Sequence, residues 1–412
     1  MMENPKALIS GASIAGLSTA FWLGKAGWDV TVIERAEAFR DGGQNIDVRG
    51  AAREVLRKMG LEDQVRAQTT TEKGTAFVND QGEVVGAFPV EGSDGLTAEL
   101  EILRDELARI VLDALPSGVE IRYGERIESV SDPGDYVQVA LRSGATETYD
   151  LLIIAEGVRS KTREMVFANE VSRRELQLNI AYGTIERKPE DDDWWRWYTA
   201  TEKRQVCLRP DNQGTIRAML AYGSERSIAD LSTDQARSEL RDIFAGAGWQ
   251  TDRVIEGFST SQDVYFDYLT QIKMPGWSKK RVCVTGDAAW CVTPLGGGGS
   301  SLALIGGYVL AAFLSQSSHG SSTLTQKADN LNISEALERY EKWMRPIVDD
   351  AQKLPPGTPD LFYPQTKMGV GTIRTVIRIA SFGPLRKIAS RIGHVARTQQ
   401  QLPEIRVAQT ES

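Results

Sequence analysis

The stretch KALISGASIAGLSTAFWLGKAGWDVTVIERA, residues 6–36, leaves little freedom for the start of the chain. Ala7-Leu8-Ile9 reads as a short buried strand, and Gly11 opens a turn. Ile14, Leu17, Phe21 and Leu23 give the following helix an apolar face. Gly27 suits that helix's C-terminal end. Asp29 to Ile33 is a second strand, and Glu34 ends it, 23 residues after Gly11. Two strands joined by a helix over this span form a parallel βαβ unit, so an α/β domain is predicted. The helix start offers unpaired N–H groups to a pyrophosphate, and Glu34 offers an acceptor to a ribose hydroxyl. The usual G-x-G-x-x-G pattern is occupied here by Gly11, Ser13 and Gly16, with Ile14 and Ala15 between. Arg35 follows Glu34, without a basic cluster suited to a 2′-phosphate. No second βαβ glycine fingerprint occurs. One dinucleotide held permanently is therefore expected, and FAD fits that better than NAD.

A chain of 412 residues exceeds one simple core, so two domains or one elaborated domain are expected. Apolar runs are short and interrupted, which predicts no transmembrane helix. The start MMENPKALIS lacks a basic region followed by a long apolar stretch, so no signal peptide is read. Three cysteines, Cys207, Cys283 and Cys291, suit a reducing cytoplasm. With only two histidines, His319 and His394, neither a metal site nor a Ser-His-Asp hydrolase is expected.

The net charge of −8 argues against nucleic acid as a partner. Residues 365–412 hold eight Lys/Arg and two Asp/Glu, a net +6 that leaves −14 on the rest. The preferred reading is a C-terminal helical cap docked on the acidic body. Contact of this tail with anionic lipid or a partner stays open.

A second stretch, GDAAWCVTPLGGGGSS (residues 286–301), follows the apolar strand RVCVT. Four consecutive glycines cost backbone entropy and supply no packing, so they mark a place where something approaches the backbone closely. An apolar helix beyond them argues against a flexible linker.

Taken in order, four segments resemble the single-component (class A) flavoprotein monooxygenases, the para-hydroxybenzoate hydroxylase-like group. Within it the chain is most similar to the branch of tetracycline-inactivating monooxygenases. The segments are the βαβ unit with Glu34, GGQNIDVRGAAREVLRKMGL (42–61), LLIIAEGVRSKTR (151–163) and VCVTGDAAWCVTPLGGGGSSLALIGGYVLAAFL (282–314). The resemblance implies a Rossmann-like FAD-binding domain, an antiparallel-sheet substrate domain and a C-terminal helical cap. It implies that Gly286 and Asp287 meet the ribitol and pyrophosphate side of FAD. It places Pro294 and Gly296 to Gly299 along the flavin edge, with Gly297, Gly298 and Gly299 presenting N–H groups to its negative charge. The helix begun by Ser300 would point its N-terminus at the same charge. Arg104, at the start of a helix with apolar Leu103, Leu107, Ile110 and Val111, would hold FAD phosphate. Arg49 would lie near the flavin, with Gln44 and Asp47 as further neighbours. Arg49, Pro294 and Gly297 are the residues expected to act in catalysis.

Three positions depart from the family pattern. Glu156-Gly157 stands where Asp-Gly is usual, in a segment that the resemblance links to both FAD and nicotinamide binding. Trp290 stands where many members have histidine. Gly306-Gly307 stands where an acidic residue and alanine are common. The last two are expected beside the flavin.

The expected FAD-binding domain comprises 1–73, 91–175 and 276–345; the substrate sheet comprises 74–90 and 176–275; the helical segment is 346–412. Residues 74–90 read as a hairpin turning at Asp80-Gln81-Gly82, and 176–223 as four more strands. Trp194, Trp195, Trp197 and Tyr198 suit either sheet packing or stacking on an aromatic substrate. The helical tail is expected to cap the first domain. The reaction implied by the resemblance is hydroxylation or Baeyer–Villiger oxidation of an aromatic or polyketide-like molecule through a flavin (hydro)peroxide. O2 and NADPH or NADH would be co-substrates, and the protein a monomer or weak dimer. A flavin oxidase or dehydrogenase, or a non-catalytic protein with a degenerate flavin site, remains an alternative. The W-x-W-x-I-P signature of flavin halogenases is absent.

Overall fold

A computed structural model describes residues 4–40, 42–70, 72–90, 100–317, 332–354, 357–382, 398 and 400–408. His319 and His394 lie outside them.

The first domain is built on a six-stranded sheet. Its order is Ser278–Lys279, Val282–Val284, Leu151–Ile154, Lys6–Ser10, Asp29–Glu34 and Val119–Tyr123, all parallel except the first pair. The predicted βαβ unit forms as read. Helix Ile14–Lys25 joins Lys6–Ser10 to Asp29–Glu34, and Gly27 leaves it with φ +86°. The helix is buried from Ile14 to Leu23 rather than along one face. The reason is tertiary. Its far side packs against helix Gly299–Ser317, where a Cβ on Gly307 would come within 2.6 Å of Ser18 and Thr19. Helix Gly299–Ser317 is long and apolar enough to cross a membrane, yet 83% of its apolar window is buried in the protein. Helix Ile333–Ala351 packs beside it and runs through Pro346.

The second layer is a seven-stranded sheet. Its order is Tyr265–Lys273, Ser172–Glu186, Thr215–Gly223, Arg204–Pro210, Trp194–Thr199, Gly74–Val78 and Val84–Pro89. Only Trp194–Thr199 and Gly74–Val78 pair in parallel. Strand alternation divides this sheet's side chains between two faces. Ala181, Val206, Leu220, Tyr198 and Tyr222 pack under helices Thr233–Phe244 and Thr251–Thr260. Ile180, Cys207, Met219, Leu269, Trp195 and Trp197 point the other way, against Leu295 of the glycine-rich segment. The tryptophan cluster is thus split: Tyr198 belongs to the helix-covered core, while Trp195 and Trp197 belong to the face that meets the first domain.

The tail departs from expectation. Helix Lys367–Ala380 lies on the outer strand Val84–Pro89 of the second layer, not on the first domain. Gly86 admits it, since a Cβ there would meet Ile377 at 2.9 Å and Ser381 at 2.7 Å. The part that does reach the first domain is non-helical: Tyr308 donates to the Pro403 carbonyl (2.8 Å), and Ala408 N–H donates to Lys25 (2.9 Å).

Candidate active site

Glycines bring three backbone segments to one edge of the first domain. Gly11 has φ +110°, and a Cβ there would stand 2.5 Å from the Ala155 carbonyl. A Cβ on Gly16 would stand 1.9 Å from the Gly11 carbonyl, and one on Gly286 2.7 Å from Ala15. The strand-end turn, the helix start and the Gly-Asp segment therefore approach closely only because side chains are missing. Ser13 begins helix Ile14–Lys25 without capping it by its side chain. Its hydroxyl instead accepts a hydrogen bond from the Arg104 guanidinium at 2.9 Å. The first-turn amides thus remain oriented toward the cleft, with Arg104 beside them, as an anion site requires. Glu34 closes over the same turn, accepting from Ala12 N–H (3.1 Å) and Ala36 N–H (3.0 Å). Arg35 is exposed next to it.

Asp287 opens to the cleft yet is hemmed in by protein on its other sides. That enclosure raises its carboxyl above the ordinary range; Arg104 opposes the shift and Asp267, across the cleft, adds to it. Gly299 lies beside it, a Cβ there falling 3.7 Å from an Asp287 carboxylate oxygen. The loop between turns sharply. Thr293 has φ +63°, Gly297 +68° and Gly298 +67°. Left-handed backbone costs a glycine little, but it strains threonine, and such strain concentrates at functional loops. Thr293 Oγ1 is also buried with no hydrogen-bond partner. The next helix starts at Gly299, one residue before the expected Ser300.

Arg49 is fastened to this helix start through Ser301. The Ser301 hydroxyl accepts from Arg49 N–H (3.2 Å) and donates to the Asp47 carbonyl (3.1 Å). The Arg49 guanidinium pairs with Asp47 at 2.9 Å. Ser301 was not among the expected site residues; its place at the foot of an apolar helix was the only signal for it.

Glu156 does not face the cleft with a spare carboxylate. It accepts from Ser10 (2.5 Å), Ser160 (2.7 Å), and the hydroxyl (2.6 Å) and N–H (3.1 Å) of Thr162. It locks the turn at Gly157 (φ +79°) to the central strand. Arg163, fully buried, donates to the Ala288 carbonyl at 2.8 Å and so braces the Gly-Asp segment from behind.

Trp290 and Gly306-Gly307 also differ from expectation. Trp290 packs on Trp277 (centroids 4.5 Å apart) and Tyr340 (6.2 Å) in a closed aromatic core. A Cβ on Gly306 would touch the Trp290 ring at 3.3 Å. The two departures therefore explain each other: the large indole needs the missing side chain.

The facing sheet supplies side chains. Tyr182 and Tyr265 stack at 5.3 Å, and the Tyr265 hydroxyl bonds Gln44 of the first domain. Asp267 shares that strand, its carboxyl raised by burial. The Arg209 guanidinium lies 3.9 Å over the Trp195 ring. It also pairs with Glu72 (2.7 Å), Glu101 (2.8 Å) and Asp47 (3.4 Å). Burial pushes the Glu101 carboxyl up to about 8; Arg209 opposes this, while Glu72 and Asp47 add to it. Among the described residues no group of three or more His, Cys, Asp or Glu is placed to hold a metal.

A helix start with Arg104 beside it, a carboxylate at the end of the second strand, Asp287 and a glycine edge facing an aromatic sheet together fit FAD. Residues 5–333 match the family described as FAD binding domain, and the chain belongs to that family. It is an FAD-dependent oxidoreductase of the flavin-dependent monooxygenase class. It is 34% identical over 407 residues to the flavin-dependent monooxygenase eupH of a Phoma species, covering 94% of each chain. It is 33% identical to a flavin-dependent monooxygenase of Legionella longbeachae, covering 86% of this chain and 88% of that one. The solved tetracycline destructase Tet(51) superposes with TM-score 0.75 at 29% identity, over 92% of this chain and 98% of that structure.

Proposed function

We propose that the protein hydroxylates, or oxidises by Baeyer–Villiger insertion, an aromatic or polyketide-like molecule, with NADPH or NADH as reductant and O2 as oxidant. The observation that carries this reading is the pairing of the glycine edge at 297–299 with a sheet face bearing Trp195, Trp197, Tyr182 and Tyr265. When bound, FAD supplies the redox chemistry and the activation of oxygen. The protein's own residues do the rest. The amides at Ile14 to Gly16 and the Arg104 guanidinium hold the pyrophosphate; Glu34 takes a ribose hydroxyl. Gly286 sets the turn that brings Asp287 to the ribitol chain. Pro294 and Gly297 to Ser300 line the ring, and the N–H groups of Gly297 to Ser300 favour its anionic form. Arg49, oriented by Asp47 and Ser301, adds positive charge to that end. Gly11 and Gly157 shape the backbone, Glu156 acts through it, and Ser13 positions Arg104.

We divide the chain into an FAD-binding part (1–73, 91–175, 276–345), a sheet over the substrate (74–90, 176–275) and a tail (346–412). The protein acts in the cytoplasm as a monomer or weak dimer. Tetracycline destruction belongs to the structural neighbour; a multi-ring phenol is the substrate class we assign here. The test is a visible spectrum of the purified protein, then NADPH or NADH in air with multi-ring phenols. Flavin bands that bleach faster with such a phenol, yielding a product one oxygen heavier, are expected. A colourless protein that takes up no FAD overturns the reading.

A further inference from the structure

Helix Lys367–Ala380 carries apolar residues on its outer side as well as on the side that faces the protein. At 3.6 residues per turn, Val370, Arg374, Ile377 and Ser381 form one stripe, and it faces the protein. Val370 is buried, Arg374 pairs with Asp80 at 2.6 Å, and Ile377 and Ser381 close on Gly86. The opposite stripe holds Met368, Val376, Ile379 and, just past the helix end, Phe382, exposed by 82%, 58%, 56% and 81%. The turn before the helix leaves Leu361 and Phe362 exposed as well. Six of the ten large apolar side chains exposed among the described residues thus lie between 361 and 382. An exposed apolar patch this concentrated marks a surface that something covers.

Charge indicates the occupant. From 361 to 403 the sequence has no Asp or Glu but seven Lys or Arg, in a chain of net charge −8. Lys367 and Arg378 are exposed on one flank of the apolar stripe. Two carboxylates beside this segment, Asp360 and Asp80, are paired with Lys203 (2.5 Å) and Arg374 (2.6 Å). Pairing two copies stripe to stripe in antiparallel fashion would bring Lys367 and Arg378 of both copies together. A bilayer bearing anionic headgroups instead takes the apolar stripe into its acyl boundary and the flanking cations at its surface. We propose that this face docks the protein on anionic membrane surfaces.

The experiment is co-sedimentation of the full-length, FAD-loaded protein with phosphatidylcholine vesicles, with or without phosphatidylglycerol. Binding to the anionic vesicles, weakened by salt, is expected. The variant M368S/V376S/I379S/F382S loses roughly a hundredfold or more in partitioning, since four apolar side chains leave the acyl boundary. The variant K367Q/R378Q loses on the order of thirtyfold. The four serine positions face away from the protein and Lys367 and Arg378 are exposed, so flavin absorbance and thermal midpoint stay at the wild-type values. The proposal is overturned if wild type ignores both kinds of vesicle, or if the serine variant binds as well as wild type. It is equally overturned if light scattering shows a wild-type dimer that the serine variant dissolves while vesicle binding persists.

Discussion

The two walls of the cleft are made from different material. The first domain meets it largely with backbone: Gly11, Gly16, Gly286, Gly297 and Gly298 bring amides and turns to one edge. The sheet meets it with side chains: stacked tyrosines, two tryptophans, and an arginine tied to three carboxylates. A bound dinucleotide presents the same phosphates and ring in every turnover, so amides at fixed positions serve it. A substrate varies in shape, and side chains on a sheet can be exchanged without rebuilding the backbone. Failure should therefore look different on the two walls.

The sharpest break is Gly286→Val. The left-handed φ of +61° and the 2.7 Å approach to Ala15 leave no room for a branched side chain. Flavin should be lost by more than about a hundredfold in affinity, as read from the ratio of visible to ultraviolet absorbance. Next comes Arg209→Met, which leaves Glu72, Glu101 and Asp47 facing one another. Breaking a buried pair from one side costs about 3–5 kcal/mol, so the unfolding midpoint should fall steeply. Trp197→Leu should spare flavin content but raise substrate KM about tenfold, since only an aromatic contact on the sheet face is lost. If it releases flavin instead, the division of labour between the walls is wrong.

The smallest effect concerns Glu101. With its carboxyl pushed up to about 8, it is mostly protonated in the folded protein at neutral pH. Glu101→Gln should then change stability by less than about 1 kcal/mol at about pH 4, where the carboxyl is largely protonated in both the folded and the unfolded chain, and should leave the variant the more stable of the two at pH 7. A raised folded pKa contributes stability that is complete below the unfolded value near 4.5 and is lost as pH rises through about 8. Wild type should lose more stability than Glu101→Gln across that window, measured by denaturant unfolding at successive pH values. Equal slopes would mean that Glu101 is ionised in the native state.

The cofactor wall was legible because each of its parts is local. Strand, glycine turn, helix and Glu34 follow one another within thirty-odd residues (6–36), and the Gly-Asp segment carries its glycines in one run. Glu156 and Trp290 could not be interpreted the same way. The roles of both depend on partners distant in the chain: Ser10 for the first, Trp277, Gly306 and Tyr340 for the second. Arg209 gave no local signal, because Glu72, Glu101 and Asp47 lie far from it in the chain and reach it only in the folded protein.

The tail marks the same boundary. Its basic composition and helical character were plain in the residues, yet the face it turns outward was not. Periodicity shows that a helix has an apolar stripe and a second stripe that can bond, but not which one the protein keeps. That choice came from strand Val84–Pro89, where Gly86 opens a groove and Asp80 offers a partner to Arg374. By itself, then, the sequence determined the βαβ unit, the FAD class and the backbone that holds the cofactor, because short-range sterics and hydrogen bonding suffice there. The substrate wall, the buried charge cluster and the exposed apolar stripe were decided by tertiary structure, because each exists only where segments far apart in the chain pack together.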